Sequence, residues 1–153
     1  MSDGGGRAPG AATPLTGAVA GTAATFTTLV LGGRASEREA AIAAALTPGV
    51  AAAAILEGLS DGNSALADLA SDPPPAPQVL QVLRIAPGCL CCAGNMILRV
   101  TLNRLLRRPP AQLFISLANA THVEQLRQWL SAAPYDALLT LGADLQVVSP
   151  AQV

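Results

Sequence analysis

Five short apolar runs, four of them closed by glycine or proline and most of them followed by a helical pattern, constrain this chain more than any other feature. Thr25 to Leu31 is β-branched and apolar, Gly32-Gly33 breaks it, and Ser36 followed by Glu39 matches a capping box that opens an alanine-rich helix to Leu46. Pro48-Gly49 stops that helix, and Val50 to Leu56 is short enough for a buried strand ending at Glu57-Gly58. Val79 to Ile85 forms a third strand before Pro87-Gly88, Leu113 to Leu117 a fourth, and Tyr135 to Leu141 a fifth, with Leu145 to Val148 as a short extension. Between them Ile97, Leu98, Leu102, Leu105 and Leu106 recur at helical spacing, as do Val123, Leu126, Trp129 and Leu130, with Trp129 read as core. Arg104, Arg107 and Arg108 read as the solvated end of the first of these two helices. Strands alternating with helices require βαβ crossovers, so the expected fold is α/β: a doubly wound, mostly parallel sheet.

The 153 residues suit one domain with a real core, and because 51% are apolar but only 3% aromatic, that core must be built from Ala, Leu, Val and Ile. Residues 1–24 are Gly, Ala, Thr and Pro without periodicity and read as a disordered tail, leaving 25–153 as the folded domain. Residues 60–77 carry a short helix at Ala65 to Ala70 and a proline cluster at Pro73-Pro74-Pro75 and Pro77, which make a surface connection. A net charge of −1, from nine arginines, no lysine and ten acidic residues, supplies no field for nucleic acid. The uncharged span between Arg7 and Arg34 is too rich in Gly, Ala and Thr, and too interrupted by Pro14, to anchor in a membrane. Asp3 among glycines is a poor signal-peptide start despite the cleavage-like Ala18-Val19-Ala20, so a cytoplasmic location without membrane contact is expected.

Ligands of such sheets bind at the carboxyl ends of the strands, and the polar candidates of this chain collect there. Gly88-Cys89-Leu90-Cys91-Cys92 holds all three cysteines within four positions, directly after the third strand. Clustered thiolates suit zinc or another soft or borderline divalent transition metal, and in an unexported chain they read as metal-binding or redox groups rather than a disulfide framework, with Cys-x-Cys-Cys spacing favouring metal. Three thiols are one short of a closed tetrahedral site. The fourth ligand must come from a carboxylate such as Glu57, from the single histidine His122, from water or from a second copy of the chain.

Together these features resemble the CobW-like branch of P-loop GTPases, relatives of the GTPases that insert nickel into urease and hydrogenase. Arg84 to Cys92 looks like that family's strand and its Gly-Cys-x-Cys-Cys metal motif; Leu56-Glu57 sits at its Asn-Glu position, and Phe114 to His122 at its Glu-Thr-(Thr/Ser)-Gly segment. The resemblance implies a P-loop NTPase-like domain, here shortened at the C-terminus because the chain stops before the family's guanine-recognition motif and smaller second domain. It also implies a phosphate loop over Gly32 and Gly33, with Arg38 at the position of the family's lysine and Glu39 at that of its Mg²⁺-binding hydroxyl. Ala35 and Glu37 replace loop glycines, and Ser116 replaces the glutamate after the fourth strand. Lost glycines and added carboxylates oppose phosphate binding, and an arginine fork does not replace a compact ammonium in a tight loop.

The expectation is therefore a metal-binding domain with a metallochaperone or regulatory role, holding its ion through Cys89, Cys91 and Cys92, with neither GTP nor Mg²⁺ as cofactor. An intact GTPase or a second copy of the chain would be its protein partner. Two alternatives stand beside it: a divergent GTPase that tolerates Arg38, and an interaction module whose cysteines are inert.

Overall fold

A computed structural model describes residues 24–58, 64–66, 79–85, 96–121 and 123–149. Strand β1 (Thr25–Leu31) leads into helix α1 (Ala35–Ala45), followed by β2 (Ala51–Glu57), β3 (Val79–Ile85), α2 (Met96–Leu105), β4 (Gln112–Ser116) and α3 (Val123–Leu130). A 3₁₀ turn (Tyr135–Ala137) and the short strands β5 (Leu139–Leu141) and β6 (Leu145–Gln146) follow. The strand order is β3-β2-β4-β1-β5, with β6 also on β1, and every pairing among the described residues is parallel.

Two apolar layers sandwich this sheet, as a doubly wound fold demands. Alternate residues of the strands supply them: Leu29, Leu31, Ala53, Ile55, Leu113 and Ile115 face α2 and α3, whereas Val30, Ala52, Ala54, Leu56 and Phe114 share a cluster with Ile42 of α1. Strand β2 runs as an unbroken apolar stretch because both of its faces are covered; from Ala52 to Glu57 every residue is buried. The tail expected at 1–24 and the helix expected at 65–70 lie almost wholly outside the described residues, apart from Ala24 and the turn at Ala65 and Leu66.

Departures from the sequence expectation have identifiable causes. Tyr135 does not begin a strand. Its ring is buried against Trp129 with centroids 4.9 Å apart, its hydroxyl donates to Asn103 Oδ1 at 3.0 Å, and its N–H donates to Ala132 O, which winds 135–137 into a 3₁₀ turn. The capping box is also shifted: Glu37, not Glu39, reaches back to the N–H of Arg34 at 2.6 Å, and Ser36 lies inside the first turn. In α2 the buried stripe is Leu98, Leu102 and Leu105, while Ile97 stands 46% exposed beside it. Trp129 is half-buried and packs on the core, and Arg104, Arg107 and Arg108 are exposed at the end of α2.

The extension expected after Leu141 continues the same edge. Thr27 pairs with Leu141 and Val30 with Leu145, so three steps along β1 match four along the edge strand, which marks one inserted residue, a bulge. Arg127 of α3 pins that bulge by an ion pair to Asp144. Replacing fully buried Leu102 with alanine is expected to cost about 2–5 kcal/mol, whereas Ile97→Ala should stay within about 0.5 kcal/mol; urea unfolding of the two variants checks which residue belongs to the core.

Candidate functional site

The chain leaves β1 toward the face covered by α1 and leaves β4 toward the face covered by α3, so the loops after the two paired strands diverge, as at the switch-point crevice of such sheets. Gly32 and Gly33 form its β1 side. Gly32 has φ +83, and a Cβ there would lie 2.4 Å from the carbonyl oxygen of Val147, so the turn is glycine because the segment after β6 lies against it. Val147 N–H donates to Leu31 O at 2.7 Å, and Ser149 Oγ donates to Glu37 Oε2 at 2.7 Å, strapping that segment across the turn.

Arg38, in the second turn of α1, folds back into the crevice and is only 4% exposed. Its Nε donates to Ser116 Oγ at 2.8 Å, and its Nη1 donates to the carbonyls of Gly32 at 3.1 Å and Gly33 at 2.8 Å. Burial lowers the pKa of this guanidinium, while the charges of Glu57, Glu39 and Glu37 push the other way; an arginine remains protonated throughout. Glu39 points elsewhere: buried to 2% exposure, it takes a two-point salt bridge from Arg84 of β3, Nη1 to Oε2 and Nη2 to Oε1, each 3.1 Å. Glu57, 5% exposed at the end of β2, accepts the N–H of Ala118 at 2.9 Å and so ties the loop after β4 to β2.

Glu57 pairs in register with Ile85, and Gly58 N–H donates to Ile85 O at 2.9 Å. The stem of the cysteine motif thus starts beside Glu57, four residues ahead of Cys89 in sequence. Cys89, Cys91, Cys92 and His122 themselves lie outside the described residues. Among the described residues no three His, Cys, Asp or Glu side chains converge as a metal site. Of the candidates read from sequence, then, the structure gathers Gly32, Gly33, Arg38 and Ser116 at one crevice and puts Glu57 at the neighbouring strand end. Arg84, Val147 and Ser149 were missed. A lone charge within the apolar run of β3 was a visible signal for Arg84, whereas nothing local marks residues 147 and 149 as neighbours of Gly32 and Glu37.

A parallel α/β sheet with its buried ionisable groups, Arg38, Glu39 and Glu57, at one edge is the class of domain that the geometry defines. Within that class, the chain is 34% identical over 67 residues to the zinc chaperone YeiR of Escherichia coli (strain K12), a match covering 43% of this chain and 20% of that protein. No protein-family model and no solved structure matches the chain. No helix among the described residues is long and apolar enough to cross a membrane.

Two outcomes follow from the paired charges. Arg84→Met strands the Glu39 carboxylate and should cost about 2–3 kcal/mol, below the loss for a fully buried pair because the Arg84 side chain is 32% exposed. Adding Glu39→Leu should recover part of that loss in a double-mutant cycle read by urea unfolding. The N–H of Arg34, then the hydroxyl of Ser149, hold the Glu37 carboxyl below its ordinary pKa. Its stabilisation is therefore complete above the ordinary carboxylate range and is lost as pH falls through the lowered folded value. The stability gap between the wild type and Glu37→Gln, followed by thermal melting, should be widest near neutral pH and close in acid.

Proposed function

We propose that this chain is a CobW-like metallochaperone domain that carries zinc, or another divalent transition metal, as cargo on Cys89, Cys91 and Cys92 and does not turn over nucleotide. The Gly88-Cys89-Leu90-Cys91-Cys92 motif carries the reading, and the similarity to a zinc chaperone supports it. Three adjacent thiolates match the softness of zinc and leave one coordination position for water, Glu57, His122 or an acceptor protein, as transfer of cargo requires. Glu57 is the carboxylate nearest the stem of the motif in the β2–β3 register. In the nucleotide half, Arg38 lies against two backbone carbonyls and Ser116, and Glu39 is committed to Arg84, so neither offers its charge to Mg²⁺ and a phosphate. Residues 25–153 form the domain in this reading, the cytoplasm is its compartment, and an intact GTPase or a second copy of the chain is its protein partner.

Titration of the fully reduced protein with zinc against a competing chelator tests the proposal. Close to one ion per chain is expected, with the affinity falling at least about 100-fold in Cys91→Ser, because a lost thiolate removes a primary ligand. Half an ion per chain would mean that two copies share it. Equal indifference of both proteins to zinc would sink the metal reading, and release of phosphate from GTP by the wild type would sink the claim that nucleotide turnover is lost.

A further inference from the structure

We infer that the crevice between β1 and β4 is a cation site shaped for a guanidinium group and filled by the chain's own Arg38. The polarity of its lining carries this. A loop that cradles phosphate turns backbone N–H groups inward, often at the start of a helix. Here two successive carbonyls, Gly32 O and Gly33 O, point inward and share one guanidinium nitrogen, and Ser116 Oγ accepts from another. The partners lie on both sides of the parting strands, and a planar fork spans them where a single ammonium does not.

The charges around the crevice agree with its lining. The negative charges of Glu57, Glu39 and Glu37 all act on Arg38, while Glu39 is also paired with Arg84 and Glu37 with Arg34. The start of α1, where an anion would otherwise sit, is already taken by the Glu37 carboxylate on Arg34 N–H, held in turn by Ser149. An incoming phosphate would meet the carbonyl oxygens of Gly32 and Gly33 within the negative field of these carboxylates, so removing Arg38 leaves a vacancy for a cation and does not uncover an anion site. This goes beyond the metal reading and stands whether or not the cysteines take an ion.

Thermal melting of the full chain and of Arg38→Ala, with added methylguanidinium, methylammonium, inorganic phosphate or GTP with Mg²⁺, tests the assignment. The variant should melt below the wild type. Methylguanidinium at about ten times its dissociation constant should raise the variant's melting temperature by about 5 °C, a rise methylammonium does not match and the wild type does not show. Adding Ser116→Ala should at least halve that rise. Equal effects of the two organic cations, or stabilisation of Arg38→Ala by phosphate or GTP, would overturn the proposal, the latter by making Arg38 a plug in an anion cradle. Should Arg38→Ala not fold alone, refolding from urea in each cation asks the same question. Recovery confined to methylguanidinium supports the site, and equal recovery or none overturns it. Zinc titration of the wild type in methylguanidinium should be unchanged, which separates this outcome from that of the metal reading.

Discussion

One guanidinium bridging two strand ends is the interaction on which the polar edge of this domain depends. Strands β1 and β4 are adjacent along their length, with Val30 opposite Ser116, but their following loops diverge to opposite faces of the sheet. Divergence leaves the carbonyls of Gly32 and Gly33 without a ladder partner, at the rim of the sheet. Arg38 supplies donors to Gly32, Gly33 and Ser116 at once. A charge this deeply buried is tolerable because its hydrogen bonds are made and three carboxylates lie near it.

The remaining charged groups of that edge follow the same rule. Glu39 and Arg84 neutralise each other from α1 and β3, Glu37 caps its own helix, and Glu57 receives the backbone of the β4 loop. These contacts join β1, β2, β3 and β4 at their carboxyl ends, next to the point where the chain leaves Ile85 toward the cysteines. Under the proposed function such a base would serve the cysteine motif, because ligands must converge on an ion with little freedom to wander.

Beneath this edge the sheet is held by small and branched apolar residues rather than aromatics. Ala52, Ala53 and Ala54 lie at the centre of a fully covered strand, and Ile55, Leu102 and Ile115 fill the layer against α2 and α3. The edge strand accommodates its bulge because Arg127 holds Asp144 there and Val147 resumes the ladder on Leu31.

Much of this was legible in the chain. Apolar runs of strand length separated by helical periodicity are read directly from residue order, because the two periods bury different faces; β1, β2, β3, β4 and the three helices follow from them. The clustering of Cys89, Cys91 and Cys92 after a strand, and the complete absence of lysine, are likewise properties of the sequence alone. Tertiary structure decided the rest. Whether Tyr135 opens a strand depends on Asn103 and Trp129, which share no local pattern with it. Glu37 and Glu39 differ by two positions, yet one caps a helix and the other meets Arg84 forty-five residues away. Arg38 could be placed at the loop from its position, but the direction of its fork, toward carbonyls rather than toward a ligand, was set by how two diverging strands leave their acceptors. Hydrogen-bond satisfaction across a sheet is a long-range demand, and no local sequence pattern encodes it.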